Sequence, residues 1–173
     1  MKLMDRVGAW QAMPLLLLLA ACAGWSHKPA ETPAWVTSGV KALPDAGTAA
    51  LYGLGRAEPN ITNVPFSKVT AKERARIALA FALENEIRAL LPAPAAQGLI
   101  RPVIEAALPH YQIAGNYLAP DKSRFALARL PYSQLVKALK TALADPKLTA
   151  AEPAAELQAL LDRNLQARGF HER

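Results

Sequence analysis

"ALYGLGRA", residues 50–57, is the stretch on which the fold turns. It is short, apolar and aromatic, and turn-forming residues bound it, which is the pattern of a β-strand. Gly53 and Gly55 lie two apart, so they face the same side of a sheet. Neither puts a side chain there, and whatever packs on that side can come close. Downstream, Thr70-Ala71-Lys72-Glu73 matches a capping box, with Thr70 as N-cap and Glu73 at the third helical position. It predicts a helix from 70 to about 91, stopped by Pro92 and Pro94. Around this helix Ala75, Ala78, Leu79, Ala82, Leu83, Ala89 and Leu90 fall on one side, and Glu86 interrupts that face near its end. The expectation is close packing of Ala75, Ala78 and Ala82 against Gly53 and Gly55.

Residues 99–108 predict a short second helix, with Pro102 in its first turn and Pro109 ending it. Residues 110–130 read as a hairpin with arms 111–118 and 124–130, joined by the turn-forming run Pro120-Asp121-Lys122-Ser123. Over 132–144, Leu135, Val136, Leu139 and Leu143 repeat at helical spacing. A last helix starts at Thr149 or Pro153 and runs to Arg168, with Leu157, Leu160, Leu161 and Leu165 on one face and Gly169 in the stop position. Its start stays open: Thr149 and Glu152 form a second capping box, while Pro153 suits a first helical residue. There is no internal repeat. The order strand, helix, short helix, strand, strand, helix, helix predicts an α+β fold, a small three-stranded, mainly antiparallel sheet packed on one face by helices. The last helix is expected to dock on its own domain while leaving some apolar surface for a partner.

Toward the N-terminus, residues 35–49 read as an irregular lead-in. Residues 23–34, with Pro29 and Pro33 and no apolar period, read as a tether that at roughly 3 Å per residue spans about 35 Å. Ahead of it, "LLLLLAACAG" (15–24) is the most apolar run of the chain and contains Cys22, the only cysteine among 173 residues. The run from Val7 to about Ala23 is broken by Gln11 and Pro14, and falls short of the roughly 20 apolar residues of a membrane span. Lys2 and Arg6 against Asp5 make the start positive, so the layout is that of a secretory signal.

Leu19-Ala20-Ala21-Cys22 has the form of a bacterial lipobox: a branched apolar residue, two small ones, then cysteine. In that chemistry the Cys22 thiol takes a diacylglyceryl group, the chain is cut between Ala21 and Cys22, and the freed amine takes a further acyl chain. Stable anchoring needs at least two lipid signals, each buried methylene contributing about 0.8 kcal/mol. Ala23 lacks the acidic character that holds such proteins at the inner membrane, which gives an outer-membrane address. The chain therefore divides into a lipoprotein signal peptide (1–21), a lipidated N-terminus and flexible tether (22–34), an α+β domain (35–144), and a C-terminal amphipathic helix and tail (145–173).

Removing 21 of the 173 residues leaves 152, enough for one domain with a real core. The net charge of +6 falls by one with the lost segment, and acids intersperse the cations throughout. With aromatics at only 6%, no stacking platform for nucleic acid is expected. Gly53-Leu54-Gly55 starts like a dinucleotide fingerprint, but position 58 is Glu58 and no helix opens there. No G-x-S-x-G and no Cys/His cluster with metal-ligand spacing occurs. Glu84 and Glu86 point to different sides of their helix, and His110 beside Tyr111 reads as a half-exposed structural histidine. No catalytic residue, metal site, cofactor or small-molecule substrate is expected.

In order and residues the chain resembles the Lpp-twenty lipoprotein family of bacterial envelopes. The resemblance covers about residues 33–143. It rests on the lipobox, Pro33-Ala34-Trp35-Val36, Tyr52-Gly53-Leu54-Gly55, the helix residues Ala71, Ala75, Leu79 and Ala80, and Phe125-Ala126-Leu127-Ala128-Arg129-Leu130. It implies no catalytic residues. It implies an outer-membrane accessory lipoprotein, such as a flagellar assembly accessory, lipid-anchored and more on the periplasmic side than the surface. An envelope protein or a second copy would be its partner. The alternative is a regulatory lipoprotein that binds and activates a peptidoglycan synthase. The short tether favours the first.

Overall fold

A computed structural model describes residues 31–59, 64–148 and 153–169. Ala21, Cys22 and the signal segment lie outside the described residues, as do Thr149 and Glu152. From Thr32 onward the chain forms one compact unit, so the helix at 153–168 belongs with the α+β domain rather than forming a separate region.

Strand β1 (Ala50–Ala57) alternates in burial: Leu51, Gly53, Gly55 and Ala57 are buried, while Tyr52, Leu54 and Arg56 face the other side. It pairs antiparallel with β3 (Arg124–Pro131), placing Gly53 opposite Ala128 and Gly55 opposite Ala126. On its other edge β3 pairs antiparallel with β2 (Gln112–Leu118), so the strand order is β1-β3-β2, and a bulge between Ile113 and Gly115 shifts the β2 register. In the hairpin turn Lys122 takes a left-handed conformation (φ 70°), and the Asp121 carboxylate accepts the Ser123 backbone N–H at 2.9 Å, an Asx turn. The result is the expected α+β arrangement. Within the lead-in, a one-turn helix, α1 (Ala34–Thr37), precedes a 3₁₀ turn at Val40–Ala42.

The main helix, α2 (Val64–Leu90), starts six residues before the expected N-cap. Thr70 is an interior residue. Pro65, the second residue of the helix, is tolerated in a first turn, and nothing between it and Thr70 breaks a helix, so the capping-box match marked no boundary. The buried apolar residues of α2 are Ala71, Ala75, Leu79, Leu83, Ile87 and Leu90, and Ser67 is buried one turn before them. Ala78 and Ala82 are only half-buried and Ala89 is exposed, contrary to the expected stripe.

Helix α3 (Ala93–Ala107) begins earlier than expected, with Pro94 in its first turn, and Pro102 sits inside it. There Pro102 withholds a backbone N–H from the Gly98 carbonyl. A 3₁₀ turn, Leu108–His110, follows. Helix α4 (Tyr132–Leu143) matches its expected span, burying Leu135, Val136, Leu139 and Leu143. Helix α5 (Ala154–Ala167) follows Pro153 as N-cap and buries Leu157, Leu161 and Leu165, with Leu160 half-buried. All three buried leucines belong to the same core cluster as α2 and α4, so the helix docks on its own domain.

Polar contacts fix that docking. Asn164 Nδ2 donates to the Leu90 carbonyl at 2.7 Å, satisfying a group that the end of α2 leaves without a helical partner. The Glu86 carboxylate, which interrupts the apolar face of α2, accepts the Tyr132 hydroxyl at 2.6 Å and pairs with Arg168. Burial, and then the hydrogen bond to Glu86, push the Tyr132 phenol well above its ordinary value. It stays a neutral donor at every physiological pH.

Candidate functional site

Three features of the sheet decide what the domain leaves open to other molecules. The first is the seam on the helix side. A Cβ placed on Gly53 would fall on Ala75 O and Leu79 N, with Leu79 Cα at 2.8 Å. One placed on Gly55 would fall on Ala71 O and Ala75 N, with the Arg74 carbonyl carbon at 2.9 Å. Helix and sheet backbones are thus in direct contact, through Ala71, Ala75 and Leu79. Of the three alanines expected there, Ala75 takes part; Ala78 and Ala82 lie to the side. This seam is structural and closed.

The second feature lies on the opposite face, where residues 32–45 run across the sheet as a strap. The Trp35 ring lies over Gly115, so close that a Cβ there would sit 3.0 Å from its Cζ2. Thr32 Oγ1 and the Tyr117 hydroxyl share a hydrogen bond at 2.9 Å. Farther along, the Tyr52 hydroxyl donates to Asp45 Oδ1 at 2.8 Å and accepts from Arg129 Nε at 3.0 Å, while Arg129 also pairs with Asp45 at 3.3 Å. The Tyr52 hydrogen bond, and with it Arg129, holds the Asp45 carboxyl below the ordinary carboxylate value.

A carboxyl whose folded value is lowered adds stability above the ordinary value of about 3.9, and that contribution is lost as pH falls through the folded value. Tyr52→Phe removes its main cause. Because the Asp45 side chain is 34% exposed, the loss at pH 7 is expected to be modest, about 1 kcal/mol. Urea midpoints at pH 7 and pH 3 check this: the gap between wild type and Tyr52→Phe should narrow at pH 3. An equal gap at both pH values would show that Asp45 does not sense the hydroxyl.

The third feature is a cleft of about 250 Å³ at the end of the sheet, between the first turns of α2 and the hairpin. Lys68 comes from α2, Asn116, Tyr117 and Leu118 from β2, and Arg124 and Phe125 from β3. On the opposite, strap side of the same strands the Tyr117 and Phe125 rings pack together, their centroids 6.4 Å apart and tilted by 48°. The Arg56 guanidinium lies 5.6 Å above the Phe125 ring, a cation–π arrangement. Arg56 also engages the nearby acids, reaching Glu58 at 3.6 Å and Asp121 at 3.8 Å. Lys68 and Arg124 have no carboxylate partner among the described residues. The cleft thus joins two uncompensated cations to the Asn116 amide and the aliphatic Leu118 side chain, chemistry suited to an anion that carries an apolar body.

A second cavity, about 310 Å³ and bounded by Arg76, Ile104, Leu108 and Tyr111, has no such charge, because Arg76 is engaged by Glu73 at 3.0 Å. Among the described residues no group of three or more His, Cys, Asp or Glu side chains is placed to hold a metal ion. Glu84 pairs with Arg88 and Glu86 with Arg168, so the two acids form no site together. His110 is exposed.

The paired glycines are visible in the sequence; the cleft is not. Lys68 and Arg124 are 56 positions apart in the chain and belong to no motif; only the return of α2 along β1 brings them together. No protein-family model matches the chain, and no curated protein matches it.

Proposed function

We propose that this chain is a non-enzymatic lipoprotein of the bacterial outer membrane, anchored through Cys22 and facing the periplasm, where it serves as an assembly or structural accessory of an envelope machine. The observation that carries this reading is the N-terminal sequence: a positive start, a short apolar core, then Leu19-Ala20-Ala21-Cys22 with no other cysteine in the chain. An Lpp-twenty-type kinship is part of the proposal and rests on the residues quoted for it.

Among the described residues no helix is long and apolar enough to cross a membrane, so attachment in this reading falls to the lipid. A partner protein or a second copy is the proposed target of the outer side of α2, where Ile77 is 49% exposed and Phe81 62%. Isolated exposed apolar residues are common, but two large ones a turn apart on one helix suit a protein contact.

Metabolic labelling with a clickable fatty acid tests the anchor. Wild type is expected to label and to run as the cleaved form. Cys22→Ser is expected to lose all label and to accumulate as uncleaved or mis-sorted precursor. Equal labelling of the two would end the lipoprotein reading.

A further inference from the structure

We infer that the cleft between α2 and the hairpin binds the phosphate of an anionic lipid headgroup, in the leaflet that holds the lipid anchor. This rests on the proposed anchoring at Cys22, and it adds a second, protein-borne contact with the membrane surface. Three observations converge on it.

The first is charge. Lys68 and Arg124 line one small cleft with no carboxylate to neutralise either of them among the described residues, while Arg56 occupies Glu58 and Asp121 beside it. Two cations facing one cavity repel each other, and an anion between them removes that repulsion. Arginine suits a phosphate because its planar fork donates two parallel hydrogen bonds, and lysine adds a mobile point charge. Asn116 supplies a neutral amide at the same cleft.

The second is the apolar rim. Leu118 lines the cleft and is 47% exposed, and Val69, on the same turn of α2 as Lys68, is 59% exposed. Cations flanked by exposed aliphatic side chains match the boundary between headgroups and acyl chains, where apolar groups enter and basic groups meet phosphate. A free anion in water has no use for that rim.

The third is where the chain leaves the domain. Thr32 is hydrogen-bonded to Tyr117 on the strap side of β2, and the residues on either side of Tyr117, Asn116 and Leu118, line the cleft. Cys22 precedes Thr32 by ten residues, which bounds their separation at about 35 Å of fully extended chain. In the proposed anchoring, the lipid attachment point is then no farther than that length of chain from Thr32. Each basic residue at an anionic surface adds about 1 kcal/mol, about fivefold in binding.

The test uses the chain from residue 22 with Cys22→Ser, which keeps the compact unit from Thr32 onward and carries no acyl group. Vesicles of phosphatidylglycerol mixed with phosphatidylethanolamine are compared with vesicles of phosphatidylcholine alone, by co-sedimentation at about 0.1 M salt, where the screening length is about 10 Å. Binding is expected to the anionic vesicles only. The double variant Lys68→Ala, Arg124→Ala is expected to bind about 25-fold more weakly, the product of two fivefold losses. The pair Lys68→Arg, Arg124→Lys keeps both charges and is expected to bind as the parent does.

Lys137→Ala, Lys147→Ala is the charge-matched control, from α4 and the segment after it, and is expected to bind nearly as the parent does. All variants alter exposed or half-buried positions, and thermal melts confirm that each is folded. A control as weak as the cleft variant would reduce the effect to net charge and overturn the site. So would no binding to anionic vesicles. Complete competition by millimolar inorganic phosphate would make the ligand a free anion and overturn the lipid assignment. Because this protein has no acyl chain, these outcomes are independent of Cys22 labelling, so failure of the cleft and failure of the anchor are told apart.

Discussion

Gly55→Val is expected to abolish the cooperative native fold. The new side chain has nowhere to go: its Cβ alone would lie well inside van der Waals contact with Ala71 O and Ala75 N, and Arg74 C lies at 2.9 Å. Those neighbours are helix backbone, not the far end of a flexible side chain. Relief requires lifting α2 off β1 near Ala71 and Ala75, which opens the core that Leu79, Leu83 and Ile87 close farther along. Overpacking usually costs about 1–3 kcal/mol where side chains can shift. Here backbone must shift, so the loss should exceed about 3 kcal/mol, against a typical total of about 5–15 kcal/mol for a domain. Gly53→Val meets Ala75 O and Leu79 N and should behave alike. Gly98→Ala is the control. The nearest atom to its new Cβ is Leu148 O at 3.9 Å, and it sits inside α3, so alanine should stabilise by about 0.5–1 kcal/mol. Denaturant midpoints of the three variants decide the matter. A Gly55→Val protein with the wild-type midpoint would mean that the seam is not closed.

That seam was legible because two glycines at strand spacing leave a mark in the sequence, and so were β1, the hairpin and α4, where residue types and turn chemistry agree. The partner residues were legible only in part. A fixed face on a helical wheel groups Ala75 with Ala78, Ala82 and Ala89, but the line actually buried runs 71, 75, 79, 83, 87. Steps of four residues wind around the helix by about 40° each. This happens because α2 lies on β1 at its start and against α3 and α5 toward its end, so the direction of burial turns along its length. Glu86 could not be placed for a similar reason. Its partners, Tyr132 and Arg168, are 46 and 82 residues away, and a lone acid in an apolar stripe says only that something must meet it. The Trp35 strap was read as irregular because a chain that packs across a sheet face without joining it follows no period. The cleft left no local mark, since each of its elements supplies one or two ordinary residues.

Truncation after Ala144 is expected to lower the melting temperature by 10 °C or more. The helix removed is short and its polar face is ordinary, so the size of the effect comes from what it covers. Leu157, Leu161 and Leu165 are 3%, 0% and 5% exposed and share one cluster with α2 and α4. Burying each contributes roughly 1.5–3 kcal/mol. Deleting them also returns the entropy of ordering their helix, about 1–2 kcal/mol per residue of backbone, which cancels much of that gain. What is not returned is the damage to the part that remains. The Leu90 carbonyl loses the Asn164 amide, the Glu86 carboxylate loses Arg168 while still holding Tyr132, and the leucines of α4 beneath the helix meet water. A buried acceptor left unsatisfied costs about 1–3 kcal/mol, more when it is charged. A net loss of about 3 kcal/mol corresponds to at least 10 °C for a unit of this size. Leu161→Ala tests the same contact without deleting chain and should cost about 2–5 kcal/mol, while Arg163→Ala, on the exposed side, should be neutral. Calorimetry and light scattering on full-length and truncated proteins separate the alternatives. A truncated domain that melts with the full-length protein, alongside a full-length species larger than a monomer, would assign these leucines to a partner rather than to their own domain.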